Sequence, residues 1–118
     1  MNEVVNKSEV LSRLDGDAEL LRELIDIFLA DSNSLLEHVS NAVTSQDPAG
    51  LERAAHKLRG SVSIFGSRAA TQAAQELETM GHDSDLPHAK EVFAQLKNQI
   101  AELEEALGEL RQETCSGS

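Results

Sequence analysis

His56 is the side chain whose sequence context best suits group-transfer chemistry. A neutral imidazole is a good nucleophile when one ring nitrogen is free and accessible. At about 100° per residue, His56 falls roughly 140° from the centre of the apolar stripe of its predicted helix and therefore faces solvent. Gly60 lies one turn further along the same face, where glycine costs about 0.5–1 kcal/mol relative to alanine. We interpret this glycine as clearance that lets a partner approach the imidazole.

Basic residues surround His56 although the chain is strongly acidic. The formal net charge is -11 at pH 7, yet residues 53–75 contain no acidic side chain. Nearby cations can stabilise a phosphoryl group on the imidazole or attract an acidic partner site. The alternative is a solvated surface on which cations happen to cluster. The basic side chains of this window are Arg53, Lys57, Arg59 and Arg68.

A carboxylate on the following predicted helix is the candidate for orienting His56. With a turn near Gly66, positions 56 and 78 lie about equally far from the turn, so Glu78 is expected to stand level with His56 on an antiparallel helix. A hydrogen bond to one ring nitrogen would fix the tautomer and leave the other nitrogen nucleophilic. Gln75, one turn earlier, is the weaker candidate. The alternative is an exposed Glu78 with no fixed partner.

Other catalytic signatures are absent from the sequence. The seven glycines stand singly, without a GxGxxG or GxxxxGK[ST] loop for nucleotide phosphates, so autonomous kinase activity is not expected. The four histidines and the single cysteine show no metal-ligand spacing. We therefore expect no metal site and no cofactor of the chain's own. A Ser-His-Asp triad has no support from a nucleophile elbow.

Composition favours one all-α domain. The chain has 118 residues and three aromatic side chains, all Phe, so its core must be built from Leu, Ile, Val and Ala, as in interdigitating helices. The charge of -11 argues against binding to nucleic acid or to anionic membrane surfaces. We find no signal peptide and no apolar run of about 20 residues, and one cysteine excludes an intrachain disulfide. A cytoplasmic monomer without membrane insertion is expected.

Apolar residues at helical spacing predict an antiparallel up-down four-helix bundle with a short extra N-terminal helix. The bundle domain is predicted over residues 8–111, between a flexible N-terminus (1–7) and a disordered tail (112–118). The polar run at 31–34 is a possible kink in the second helix. Glycines at 16, 66 and 81 are predicted to end the first, third and fourth helices. The predicted N-caps or starts of the five helices are Ser8, Asp17, Asp47, Ser67 and Leu86.

Residues 55–61 (AHKLRGS), continuing to Phe65 and Gly66, closely resemble the signature of histidine-containing phosphotransfer (HPt) domains of bacterial multistep phosphorelays. The family pattern is His, any residue, Leu, Lys, Gly, Ser, with a further Gly at the helix end. The helical remainder of the chain follows the same resemblance with lower specificity. Arg59 stands where Lys is usual. It keeps the charge but differs in hydrogen-bond geometry, which can alter partner preference.

The resemblance implies that His56 is the phosphoacceptor, that Arg59 gives charge support, that Gly60 permits docking and that Glu78 matches the family's polar hydrogen-bonding partner. It implies response-regulator receiver domains and a hybrid sensor histidine kinase as partners, with Mg²⁺ on the receiver. Leu11 and Leu14 could instead be buried in the core rather than take part in the docking surface. The residues expected to make that surface are Arg53, Lys57, Gly60, Ser63, Ile64, Arg68, Gln75, Leu11 and Leu14.

Two other functions fit the same residues. A helical adaptor would bind a receiver without accepting phosphate. The phosphoacceptor domain of a chemotaxis-type histidine kinase has the same bundle and an analogous histidine, but there the donor is ATP held by a separate catalytic domain. Labelling experiments with different donors separate the three functions.

Overall fold

The computed structural model describes residue 5 and residues 7–116, without the side chains of 7 and 114–116. The regular secondary structure of this part of the chain is helical. Within this part there are five helices and no strand, so the predicted all-α architecture is confirmed. Short connections make consecutive long helices antiparallel. The helices are α1 (Lys7–Arg13), α2 (Ala18–Thr44), α3 (Pro48–Ser63), α4 (Arg68–His82) and α5 (Ala89–Ser116).

The four long helices form a closed ring of contacts. The helix α2 packs on α3 and α5, α4 packs on the same two helices, and α1 lies against α2. The core is aliphatic, as the composition predicted, and Phe28 meets Phe65 edge-on with ring centroids 5.6 Å apart. No helix of the described residues has the length and apolar character needed to cross a bilayer.

Local signals set two of the helix starts. The Asp17 carboxylate accepts the backbone N–H of Leu20, and the Asp47 carboxylate accepts that of Gly50, so both predicted N-caps are confirmed. Pro48 occupies the first turn of α3, where it needs no hydrogen-bond donor. Ser8 is not a cap, because α1 already begins at Lys7.

Gly81 does not end α4, contrary to the sequence prediction. The helix continues to His82, and the left-handed residue beyond it is Ser84, with φ 55°. Gly81 is buried, and a Cβ added there would lie 2.7 Å from the Pro48 carbonyl oxygen and 2.9 Å from the Glu52 Cα. This position requires glycine because the backbones of α3 and α4 approach closely here.

The polar run at 31–34 does not interrupt α2, which is one continuous helix. Ser32 is fully buried, and its hydroxyl donates to the Glu104 carboxylate on α5. A cross-helix partner therefore satisfies the polar group that suggested a kink.

The last helix begins at Ala89 rather than Leu86 and continues to Ser116 rather than ending at Arg111. Residues 112–116 are thus helical and not a disordered tail, because no helix breaker follows Arg111 until Gly117. Residues 117–118, and all of the predicted flexible N-terminus except residues 5 and 7, lie outside the described residues.

Candidate functional site

The hairpin of α3 and α4 positions the candidate site. Both helices bury small side chains, and Gly81 near the end of α4 lets the two backbones approach closely. The close packing fixes the register between the helices, so His56 on α3 lies opposite Glu78 on α4. The small buried residues are Ala55, Ala70, Ala73 and Ala74.

His56, Glu78 and Arg59 form one hydrogen-bonded group. The Nδ1 atom of His56 lies 2.8 Å from Oε2 of Glu78, and Nε of Arg59 donates to Oε1 of the same carboxylate at 2.7 Å. The structure therefore brings together the three residues that the sequence placed at the centre of the site. Both carboxylate oxygens are engaged, which holds Glu78 in one orientation.

The protonation of this group follows from its donors. Burial on its own raises the pKa of Glu78, but hydrogen bonds from Arg59 and His56 outweigh this effect, and the pKa lies below its usual value. An ionised carboxylate can only accept, so Nδ1 of His56 must carry the proton and donate. The lone pair of the neutral ring is then on Nε2, the nitrogen available for nucleophilic attack.

A terminal nitrogen of Arg59 also lies 3.1 Å from Nδ1 of His56. Arginine cannot accept a hydrogen bond, and Nδ1 already donates to Glu78, so this approach is a close contact between two donors rather than a second hydrogen bond. Arg59 therefore binds Glu78, and the predicted charge support acts through that carboxylate.

The reactive face of His56 is open. Its side chain is 64% exposed, whereas that of Glu78 is 21% exposed. A Cβ added at Gly60 would meet no described atom within 4 Å. Packing within the chain therefore gives no reason for a glycine at this position, and clearance for a partner stays the explanation predicted from the sequence.

The remaining predicted cations lie in two separate places. Arg53 and Lys57 line a groove of about 360 Å³ between α2 and α3, together with His38, which the sequence did not indicate. Arg68 lines a different cleft at the start of α4, with Ser63 and Gln75. Of the four, Arg59 is the one that hydrogen-bonds within the His56 group among the described residues.

An apolar surface lies near the C-terminal end of α3. Ile64 is 39% exposed, as predicted, and Ile27 on α2 is 58% exposed. Ile27 directly precedes Phe28, and Ile64 directly precedes Phe65. Because the two phenylalanine rings are in contact, the two isoleucines lie at the same level along the bundle. Leu11 and Leu14 are half-buried against the core.

The exposure of Ile27 was not predicted from the sequence. Ile27 falls about 110° from the centre of the buried stripe of α2, and this angle was the available signal. Leu20, at 37% exposure, lies on the same flank, and its exposure was not predicted either. Arg13 donates to the carbonyl oxygens of Ser63 and Ile64, which fixes α1 beside this surface.

Another histidine–carboxylate pair lies one turn from the site and was not predicted. Nδ1 of His82 on α4 lies 3.1 Å from Oε2 of Glu52 on α3, with side chains 72% and 40% exposed. Unlike Glu78, Glu52 has no arginine partner among the described residues. Those residues also contain no group of three or more His, Cys, Asp or Glu side chains that could hold a metal ion.

The chain is similar to known proteins in sequence and in fold. The model of the Hpt domain family matches residues 23–106. The sensor protein TorS of Escherichia coli (strain K12) is 34% identical over 91 residues, and the match covers 71% of this chain but only 10% of TorS. The crystal structure of histidine-containing phosphotransfer protein B (HptB) from Pseudomonas aeruginosa PAO1 is similar with a TM-score of 0.86 at 21% identity, over 96% of this chain and 98% of that chain.

Proposed function

This chain belongs to the Hpt domain family, and we propose that it accepts a phosphoryl group on His56 from a receiver-domain phospho-aspartate and passes it to another receiver aspartate. The observation that carries the proposal is the exposed imidazole whose Nδ1 is held by Glu78, which leaves Nε2 free toward solvent. The sequence contains no GxGxxG or GxxxxGK[ST] nucleotide-binding loop, so in this proposal the chain acts as a phosphotransfer intermediate without kinase activity of its own.

The transfer is an in-line displacement at phosphorus. The Nε2 lone pair of His56 attacks, a nitrogen–phosphorus bond forms, and the bond from phosphorus to the aspartate oxygen breaks to release the receiver carboxylate. The imidazole keeps its Nδ1 proton and becomes cationic. The Glu78 carboxylate, 2.8 Å from Nδ1, stabilises this positive charge as it develops. The return step to a second receiver reverses these changes.

The negative charge of the transferred phosphoryl group is neutralised mainly by the receiver domain. A receiver brings its own Mg²⁺, and this chain has no metal requirement in the proposal. Arg59 is bonded to Glu78 rather than extended toward solvent, so it maintains the orienting carboxylate. Arg53 and Lys57 on the α2 side of His56 provide further positive potential for an acidic receiver surface.

The docking surface proposed for the receiver combines clearance with apolar contact. Gly60 gives access to the imidazole, while Ile64 and Ile27 present exposed apolar area at one end of α3. Leu11 and Leu14 contribute their exposed edges beside it. TorS is a sensor protein about ten times the length of the match, and a hybrid sensor kinase is accordingly proposed as the upstream partner. The proposal also includes that the protein is a monomer and that it acts in the cytoplasm.

Phosphotransfer from a labelled receiver tests the proposal. Incubation with a phosphorylated receiver domain and Mg²⁺ is expected to give an acid-labile, base-stable label that is lost in His56→Gln. His82→Gln is the matched control, because His82 is similarly exposed and also has a carboxylate at Nδ1. Labelling that persists in His56→Gln contradicts the assignment.

The outcomes also separate the alternative functions. Receiver binding without any label would select the adaptor. Labelling by an isolated ATP-dependent catalytic domain, but not by receivers, would select the chemotaxis-type phosphoacceptor domain.

A further inference from the structure

Arg13 connects the short helix α1 to the C-terminal end of α3. Its Nη1 atom donates to the carbonyl oxygens of Ser63 and Ile64, at 3.1 Å and 3.2 Å. Carbonyl groups in the last turn of a helix lack donors within that helix and carry the negative end of its dipole, so a guanidinium is a suitable partner for them. Arg13 therefore caps the end of a helix that lies 50 residues further along the chain.

The guanidinium of Arg13 has two further neighbours. Its Nη2 atom donates to Oε1 of Glu9, one turn earlier in α1, at 3.0 Å. Gly66, in the turn after α3, has a φ of 72°, and a Cβ added there would lie 3.5 Å from Nη1 of Arg13. The ion pair of α1 thus lies directly against the turn between α3 and α4.

Apolar packing alone gives α1 little hold on the bundle. Of its described side chains, those of residues 8–13, Val10 is the one that is fully buried. Leu11 and, just beyond the helix, Leu14 are half-buried against the core. A helix of seven residues is also too short to be stable in isolation. The position of α1 therefore depends on specific bonds such as those of Arg13.

This attachment lies within the surface proposed for receiver docking. Leu11 and Leu14 contribute their exposed edges to that surface. Ile64 contributes an exposed side chain, and its own carbonyl oxygen is one of the two acceptors of Arg13. One guanidinium thus sets where the α1 part of the surface lies relative to the α3 part.

We propose that Arg13 is a positioning residue for receiver docking, because it keeps the leucines of α1 and its following turn beside Ile64. The inference rests on the proposed function, since its partner is the receiver domain of that proposal. Without Arg13, α1 would be in place for only part of the time. The apparent affinity for the receiver would then fall in proportion to that fraction, while the chemistry at His56 would be unchanged once the receiver is bound.

Amide hydrogen exchange, followed by NMR, tests the attachment of α1. The N–H of Leu14 donates to the Val10 carbonyl, and the N–H of Gly16 donates to the Leu11 carbonyl. Exchange at these two amides therefore reports opening at the end of α1. Arg13→Gln is expected to speed their exchange by about tenfold, as for loss of charge-assisted hydrogen bonds, and to leave the amides in the middle of α3 unchanged. Arg13→Lys, which keeps a cationic donor, is expected to restore part of the protection.

Receiver titrations test the consequence for docking. Calorimetry with an unphosphorylated receiver domain and Mg²⁺ gives the affinity, and single-turnover transfer from the phosphorylated receiver gives the half-saturating concentration and the limiting rate constant. Arg13→Gln is expected to weaken binding and raise the half-saturating concentration by about three- to tenfold, with the limiting rate constant within about twofold of the parent value. Lys97→Gln removes an exposed cation from α5, across the bundle from α3, and is the control that should behave like the parent chain.

The two measurements together separate the possible roles of Arg13. Weaker receiver binding with faster exchange in α1 supports positioning. Weaker binding with unchanged exchange would mean that Arg13 contacts the receiver directly and would overturn the proposal, as would unchanged binding in Arg13→Gln. A parent chain that binds the receiver without accepting phosphate would contradict the proposed phosphotransfer, and the comparison of receiver affinities would still decide the role of Arg13.

Discussion

Replacing Glu78 with glutamine removes the charge from the orienting group while keeping its shape. The carboxylate now accepts from His56 at 2.8 Å and from Arg59 at 2.7 Å. Glutamine has one acceptor oxygen for these two donors, and its amide nitrogen must face the other. Directed at His56, the amide would donate to Nδ1 and favour the tautomer in which Nε2 carries the proton and is not nucleophilic.

The magnitude follows from the type of hydrogen bond that is lost. A hydrogen bond to a charged group contributes about 1.5–3 kcal/mol, against about 0.5–1.5 kcal/mol for a neutral pair. The cationic imidazole formed during transfer therefore loses about 1–1.5 kcal/mol of stabilisation in Glu78→Gln, which corresponds to transfer about tenfold slower. The effect should appear in the rate constant of the chemical step more than in the affinity for the receiver.

Two measurements check this expectation. Single-turnover transfer from a phosphorylated receiver gives the rate constant, and ¹⁵N NMR of the imidazole reports which nitrogen carries the proton in each protein. Glu52→Gln is the matched control, because it alters the carboxylate paired with His82 and should leave transfer unchanged. If Glu78→Gln transfers at the parent rate and retains the Nδ1–H tautomer, then the orienting role assigned to Glu78 is wrong.

Four further predictions concern stability and docking. Leu58→Ala, which truncates a fully buried side chain, should lower the free energy of unfolding by about 2–5 kcal/mol in urea titrations, while the exposed His56→Gln stays within about 0.5 kcal/mol. Gly60→Leu should slow transfer from a receiver while leaving the helix at least as stable; unchanged transfer would remove the clearance role. Gly81→Ala should destabilise the fold by about 1–3 kcal/mol in the same titrations, because the added Cβ would collide with the α3 backbone. The pKa of Glu78 in the folded protein lies below its ordinary value of 4.5. The free energy of unfolding that the ionised carboxylate adds, relative to Glu78→Gln, should therefore be fully present above pH 4.5 and be lost as the pH falls through the folded pKa. A difference in unfolding free energy between the two proteins that grows on acidification would contradict this.

The parts of the fold that were predictable depend on local signals. Asp17 and Asp47 cap their helices with side chains that reach only three residues ahead. The pairing of His56 with Glu78 also followed from the sequence, since a short turn between α3 and α4 leaves few possible registers. A cap or a hairpin register involves neighbours in sequence and so can be read without the tertiary structure.

The features that were missed depend on contacts between distant residues. Ser32 is accommodated in an unbroken α2 only because Glu104 on α5 accepts its hydrogen bond. Gly81 looked like a helix stop, but its role comes from the close backbone of α3. The exposure of Ile27 depends on where the neighbouring helices leave the flank of α2 uncovered. Helical periodicity alone does not determine which flank a neighbour covers.

Arg59 shows how such a contact changes the chemistry expected of a residue. Glu78 accepts from Nδ1 of His56 with one carboxylate oxygen and carries a negative charge, since its pKa lies below its usual value. Arg59 bonds the other oxygen of Glu78 at 2.7 Å and offsets part of that negative charge. The two hydrogen bonds together hold Glu78 in the orientation in which it accepts from Nδ1 of His56. The substitution of arginine for the family's usual lysine and the carboxylate at position 78 therefore act together, because the planar guanidinium can bind Glu78 through Nε while a terminal nitrogen lies near the imidazole.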